Sequence, residues 1–460
     1  MMRTRQADRA LAAIRAAARP LPGTEHDHDE LLDLIGDAPL VLLGEASHGT
    51  HEFYRERARI SRRLIVEKQF TAVAIEGDWP DAYRVNRFVR GQGADADADA
   101  ALAGFQRFPT WMWRNTVVAA FVDWLRGHNA RLPTAERCGF YGLDLYSLHG
   151  SIAAVLAHLA RTDPAAARRA RERYACFDAF GPDSQVYGLM AGLGRADDCE
   201  DEVVAMLVEL AGRARAGGAA AATPTAADDA EAAFDAEQNA RLVKNAEAYY
   251  RQMYWRQVST WNLRDDHMAD TVAALRRHLS RPSNGSPREP KIIVWAHNSH
   301  LGDARATEMA ERGEINLGQR LREAHGERAV LVGFSTHAGT VMAATEWDGP
   351  AERKRVNPSR DDSIEGLLHA AGPDRFLLPL RGDAVLAQAL REPRLERAIG
   401  VIYRPETERW SHYFHSRVAQ QFDALIHLDE TRAIDPLPPP ARSSGGPAGD
   451  EPPETYPSGL

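Results

Sequence analysis

The stretch Val41-Leu42-Leu43-Gly44-Glu45-Ala46-Ser47-His48-Gly49 decides the reading of the fold. A short apolar run that stops at ionisable residues and opens onto a helix-like segment reads as a buried parallel strand. Three more segments repeat the pattern. Ala72-Val73-Ala74-Ile75 runs into Glu76-Gly77-Asp78, Phe140-Tyr141-Gly142-Leu143 into Asp144, and Ile292-Ile293-Val294-Trp295-Ala296 into His297-Asn298-Ser299-His300. Between the first two, residues 51–68 place Phe53, Ile60 and Leu64 on one helical face, and residues 80–90 make a short helix with Pro80 at its favoured first turn. This alternation predicts an α/β fold with a mostly parallel central sheet flanked by helices. Ligands of open α/β sheets bind outside the carboxyl ends of the strands. Glu45, His48, Glu76, Asp144, His297 and His300 are therefore expected along one sheet edge.

Beyond this core the composition changes. Residues 1–150 read as the N-terminal part of the α/β core, and residues 151–280 as a helical lobe over the cleft, rich in Ala, Arg and Glu, with a flexible loop at 219–230. Residues 281–290 (RPSNGSPREP) read as a linker. Strand-like runs resume at 291–296, 329–334, 376–379, 399–403 and 424–427, so that 291–435 completes the core. The Pro-, Gly- and Ser-rich residues 436–460 are expected to be a disordered tail.

The totals exclude several classes of function. With 460 residues, 44% of them hydrophobic, the chain can bury a large core. A net charge of -9 offers no basic footprint for nucleic acid. Only Lys68, Lys244, Lys291 and Lys354 are lysines among many arginines, a coding bias rather than a phosphate-reading device. No run reaches the length of a membrane span, and residues 1–20 lack the unbroken apolar stretch of a signal peptide. Cys138, Cys176 and Cys199 are odd in number and fall in no C-x-x-C arrangement, so neither a disulfide framework nor a cysteine zinc site is expected, and a cytoplasmic location fits. The segment GQGADADADA at 91–100 partly matches a dinucleotide fingerprint but follows a helix instead of a strand. No G-x-S-x-G or Walker sequence is present.

The residues at the strand ends point to hydrolytic acid–base chemistry. Glu45 and His48 flank a strand-to-helix junction, where a histidine oriented by a carboxylate can take a proton from water; the competing role is helix capping. Ser47 lies in G-x-x-S-x-G and reads as a local backbone hydrogen-bonder. Glu76 is favoured over Asp78 as the acid nearer its strand end. Asp144 is a candidate substrate contact or a helix N-cap. His297 and His300 can donate hydrogen bonds in a transition state or ligate a metal. Arg264 can stabilise an oxyanion, unless it only pairs with Asp265 and Asp266 on the surface. Trp79, Trp111, Trp113 and Tyr146, with Phe108, are candidate pocket aromatics for a bulky apolar substrate. His412 and His415 read as structural or pocket-wall residues.

In the order and combination of these motifs the chain resembles the erythromycin esterase family. The matching segments are Leu43-Gly-Glu-Ala-Ser-His-Gly-Thr-His-Glu-Phe53, Ile75-Glu-Gly-Asp78, Tyr141-Gly-Leu-Asp144, Asn262-Leu-Arg-Asp265 with Met268-Ala269, and Trp295-Ala-His-Asn-Ser-His300. The resemblance implies hydrolysis of an ester, as in the opening of a macrolide lactone, without an obligatory metal or other cofactor. By motif it places the essential histidine on His48, its paired acid on Glu45, the second acid on Glu76, the second histidine on His297 and the arginine on Arg264. The expected partner is a small-molecule ester or lactone; nucleic acid and membrane are not expected partners, and the oligomeric state is not legible. Two other readings stay open at this point. One is a metal-dependent hydrolase using His48, Glu76, His297 and His300 as ligands, and the other is a non-catalytic protein that sequesters an apolar small molecule.

Overall fold

The structure is a computed structural model that describes residues 2–439, apart from 182–183, 193, 195–197, 218–223, 255–258, 281, 284–285 and 288. Its main sheet contains β1 (Arg19–Pro20), β2 (Leu40–Leu43), β3 (Ala72–Asp78), β4 (Gly139–Asp144), β5 (Ile292–Trp295), β6 (Ala329–Ser335), β7 (Arg375–Pro379) and β8 (Ala424–Leu428). The spatial order is β1-β7-β8-β6-β2-β5-β3-β4. Every neighbouring pair from β8 to β4 is parallel, while β7 and β1 add an antiparallel edge. The chain has the expected mixed α/β fold.

Pleating explains why the strands read as unbroken apolar runs. Leu40 and Leu42 enter one buried cluster and Val41 and Leu43 another, and the same alternation divides Ala72 and Ala74 from Val73 and Ile75. Both faces are covered, so neither tolerates polar residues. The helix His51–Lys68 supplies Phe53, Ile60 and Leu64 to the second cluster, and the helix Thr116–Asn129 supplies Val118, Phe121 and Val122. The long segment between β4 and β5 is helical, running through Leu148–Thr162, Pro164–Tyr174, Ser184–Gly192, Glu200–Gly217, Pro224–Gln252 and Thr260–Leu279. It belongs to the first cluster.

The insertion of β5 between β2 and β3 matters most for the site. Leu43, Trp295 and Ile75 lie side by side at the ends of their strands. The residues that follow β5 therefore emerge between Glu45–His48 and Glu76–Asp78, although more than 200 residues of chain separate them from either. Two glycines permit close packing around the turn after β2. A Cβ at Gly44 would lie 2.1 Å from Asn298 Oδ1, and one at Gly49 would lie 1.9 Å from the Met342 carbonyl oxygen.

Several expectations change. Residues 399–403 are not a strand but an extended segment with isolated bridges, Ser47 to Ile399 and Ala344 to Ile402. Each side of it meets a different partner for one residue only, so no ladder can propagate. The strands Ala338–Ala343 and Glu352–Val356, paired antiparallel, escaped the sequence reading because Glu352–Val356 (ERKRV) is largely exposed and charged. Residues 224–230 of the expected flexible loop begin the helix Pro224–Gln252, and 218–223 lie outside the described residues. In the linker, Pro282–Ser283 pairs with Ser286–Pro287, whereas 281, 284–285 and 288 lie outside the described residues. Residues 436–439 of the expected tail run along the core, with Pro436 bridging Asn115 and the Pro438 carbonyl accepting from Arg114 Nη2 at 2.8 Å. The remainder, 440–460, lies outside the described residues.

The cysteine expectation is overturned outright: Cys176 and Cys199 form a disulfide across a separation of 23 residues, with Cα atoms 6.0 Å apart. Packing of the segment Ala175–Phe180 beside the start of helix Glu200–Gly217 brings them together, which no spacing rule reveals. Cys138 is free and buried. Closing a loop of this length stabilises by about 3 kcal/mol in the chain-entropy description. Cys199→Ser is therefore expected to make the helical segment more susceptible to limited proteolysis and to urea, and identical cleavage rates for the two proteins would count against a stabilising bond. No helix among the described residues is long and apolar enough to cross a membrane.

Candidate active site

The turn after β2 carries His48 into the wall of a cavity of about 440 Å³, a size typical of small-molecule sites. His48 Nδ1 lies 3.1 Å from Glu45 Oε1, and Arg57 Nη2 donates to Glu45 Oε2 at 2.8 Å. A carboxylate held by a guanidinium can only accept, so the proton between Glu45 and His48 belongs on Nδ1, and Nε2 is the nitrogen not committed to Glu45. Arg57 and Glu45 are both fully buried. The guanidinium carbon of Arg57 stands 4.2 Å from the Tyr54 ring and 5.3 Å from the Trp295 ring. Glu45 does not line the cavity; it sits behind His48 and orients it. The Ser47 hydroxyl is engaged by Thr50.

His297 emerges from β5 with its ring centroid 4.9 Å from that of His48. It is the N-cap of the short helix Asn298–Leu301, where Nδ1 accepts from the Ser299 N–H at 3.2 Å. Burial, then the neighbouring His48, hold His297 well below the ordinary histidine range, so the ring is neutral. With Nδ1 accepting, the single ring proton sits on Nε2. That nitrogen is buried and has no hydrogen-bond partner.

A second network joins Glu76, Arg264, Asp144, His300 and Asp265. Arg264 grips Asp144 through Nε (2.9 Å) and Nη2 (2.6 Å), and Nη2 also donates to Glu76 Oε1 at 2.8 Å. Glu76 Oε2 accepts from the His297 backbone N–H at 2.8 Å. Burial alone would raise the Glu76 pKa, but His300, Arg264 and His48 outweigh it and hold the carboxyl well below its ordinary range. Arg264 has not paired with its sequence neighbours: Asp265 holds His300 Nδ1 at 2.9 Å and Asp266 holds Arg320. Asp144 does not cap the helix Leu148–Thr162, whose N-cap is Ser147.

Burial pushes the His300 pKa down, while Asp265 and Glu76 pull it up, to about 9. Its Nε2 lies 3.0 Å from Arg264 Nη1 and 3.3 Å from Glu76 Oε1. The two carboxylates dominate the one arginine, so we take Nε2–H to be directed at Glu76. A histidine raised above its ordinary 6.5 contributes stability that is fully present below that value and is lost as pH rises through about 9. Melting wild type and His300→Gln from pH 6 to 10 is expected to show a stability gap that narrows across that window; a gap independent of pH would refute the assignment.

Not every expected pocket aromatic reaches the cavity. Trp113 and Tyr146 line it, with Phe108. Trp79 does not: the chain turns Asp78 toward the cavity and the next residue away from it, so the indole lies in the core, donating to Asp235 Oδ1 at 2.9 Å. Trp111 is also core, because its short 3-10 turn presents Met112 to the cavity instead. His412 lines the cavity, whereas His415 is exposed and pairs with Glu308. The sequence reading missed Arg57, Asp265, Arg107, Trp261 and Trp347. Trp261 stacks on His300 with centroids 4.3 Å apart, and Trp347 meets Phe108 at 4.9 Å. Arg57 lies nine residues after His48 on the following helix, a helical arginine without an i±4 acid, which was the one available signal. Among the described residues, no group of three or more His, Cys, Asp or Glu is arranged to hold a metal ion.

A histidine with one nitrogen committed to a carboxylate, standing in the wall of a small-molecule cavity, is an arrangement suited to acid–base chemistry. The particular family follows from comparison: the sequence model of the family described as Erythromycin esterase matches residues 65–431. The chain belongs to the erythromycin esterase family and is a hydrolase of that family. The match includes Glu76, Asp144, Arg264, His297 and His300 and begins after Glu45, His48 and Arg57. The chain is 24% identical to the erythromycin esterase type II of Escherichia coli over 364 residues, 75% of this chain and 81% of that one. Among solved structures it resembles a Bacillus cereus protein (TM-score 0.76, 19% identity, 94% of this chain and 99% of that chain covered). It also resembles a succinoglycan biosynthesis protein (0.72, 21%, 93% and 98%) and a mutant of the erythromycin esterase EreC in its open conformation (0.62, 16%, 90% and 96%). At these identities the structures share the fold.

Proposed function

We propose that this protein is a carboxylic ester hydrolase in which His48 is the general base toward water and a macrolide lactone is among the esters opened. The observation that supports this most directly is the chain of contacts from Arg57 through Glu45 to His48 at the cavity wall. In this reading His48 Nε2 takes a proton from a water that attacks the ester carbonyl, and Glu45 holds the resulting imidazolium. The tetrahedral oxyanion is met by the under-used His297 Nε2–H. On collapse the C–O bond breaks and His48 returns its proton to the leaving alkoxide, giving an acid and an alcohol. The guanidinium of Arg264 is spent on Asp144 and Glu76, so its part is to hold Glu76 beneath His297 rather than to meet the oxyanion itself.

We propose further that the reaction needs no metal. Two of the four groups that would serve as ligands are already engaged: Glu76 by Arg264 and the His297 N–H, and His300 by Asp265. The test is incubation of the protein, before and after treatment with a chelator, with macrolides and simple aryl esters, followed by mass spectrometry for the gain of one water. Hydrolysis that survives chelation is expected. Loss of activity on chelation, restored by a metal ion, would reverse the metal assignment, and binding without any mass change would make the protein a sequestering one.

A further inference from the structure

Asp78 and Asp144 are register partners at the ends of β3 and β4, and both line the cavity. Two carboxylates at neighbouring strand ends repel each other unless cations stand between them. Asp144 is taken up by the two-pronged grip of Arg264. Asp78 is not: its Oδ2 pairs with Arg107, while its Oδ1 is buried with no hydrogen-bond partner. Asp78 also occupies the N-cap position of the helix Trp79–Val89, where an aspartate ordinarily accepts from the first turn. Its side chain makes no capping bond there.

The charges around this end of the cavity do not balance. Counting the charged residues that line the cavity together with Asp265 behind His300, Glu76, Asp78, Asp81, Asp144 and Asp265 stand against Arg107, Arg264, Arg404 and a protonated His300, one negative charge in excess. Burial holds the Asp78 carboxyl above its ordinary range; Arg107 opposes this and the Asp144 charge adds to it. Asp81, one helical turn on, lines the same wall. Aromatic surface stands beside it: Trp113 packs on Gly77, donating Nε1–H to the Glu76 carbonyl at 3.0 Å, and Phe105 lies 6.5 Å from the Trp113 ring. A partly exposed carboxylate with one idle oxygen, an uncompensated negative charge and aromatic walls together form the environment that recognises an organic cation.

We propose that Asp78, backed by Asp81 and walled by Trp113 and Phe105, is a subsite for a protonated amine carried by the substrate. The selected substrates are thus esters bearing a basic amine, an inference that rests on the esterase reading. Binding can be tested apart from turnover. Ligand-observed NMR on the intact protein compares 2-(dimethylamino)ethyl benzoate, protonated at neutral pH, with its neutral carbon isostere, 3-methylbutyl benzoate. Wild type is expected to bind the cation about tenfold tighter, the order of one partly desolvated cation contact. Asp78→Asn, nearly isosteric, is expected to remove most of that preference, and Asp81→Asn part of it, which also serves should Asp78→Asn fail to fold. Equal affinity for the two ligands, or a preference untouched by both substitutions, would overturn the subsite. If the binding preference is present but neither ester is hydrolysed, the subsite stands and the esterase reading is the part that has failed.

Discussion

His48→Ala is expected to lose about 10²- to 10⁴-fold in turnover, the usual worth of a general base, while keeping its fold. The reason for the second half is structural. Removing the imidazole leaves Glu45 paired with Arg57, so no buried charge is stranded, and the side chain borders an existing cavity rather than a packed core. Ester hydrolysis followed by product mass, with a thermal melt of the same preparation, checks both halves. A folded His48→Ala protein that retains wild-type turnover would remove His48 from the chemistry and direct attention to His297. A protein that fails to fold would show that the turn after β2 depends on the Glu45–His48 contact.

Arg57→Leu is expected to have the largest effect on stability, about 3 to 5 kcal/mol, the range for breaking a buried ion pair by removing one partner. Arg57 and Glu45 are 0% exposed, so the carboxylate left behind has no water to turn to. Activity should fall as well, because Glu45 would no longer be held against His48. The double variant Arg57→Leu/Glu45→Gln is expected to recover part of the lost stability, since it removes the stranded charge. Chemical denaturation of the three proteins measures this. Equal midpoints for Arg57→Leu and wild type would mean that the pair contributes nothing net and that Glu45 is oriented by other groups.

The two networks differ in how far they could be read in advance. Glu45, His48, Glu76, His297 and His300 all lie within five residues of the end of an apolar run, and a run buried on both sheet faces must stop where a charged residue begins; that boundary is visible in one dimension. Arg57 and Asp265 lie inside helices, where a charged residue is unremarkable until its partner is known. The aromatics illustrate the same limit. Trp79 and Trp113 look alike in sequence, yet Trp79 is enclosed in the core while Trp113, packed over Gly77, also borders the cavity, a difference set by how distant segments pack. The Cys176–Cys199 bond could not be anticipated either, since its geometry is set by how two helical segments pack and not by the number of residues between them.

Sequence by itself determined the α/β class and the parallel character of the main strands, because burial on both faces writes itself as uninterrupted apolar runs. It also placed the acids and histidines at strand ends, since polar residues cannot enter those runs. Only the tertiary structure decided the strand order, with β5 lying between β2 and β3. That order brings His297 to within 4.9 Å of His48, commits Arg264 to Asp144 and Glu76 instead of its neighbours, and leaves Asp78 with an idle oxygen in the cavity. The physical reason is that local periodicity records which face of an element is buried, whereas the partner of a buried charge is chosen by pairings between strands and helices far apart in the chain.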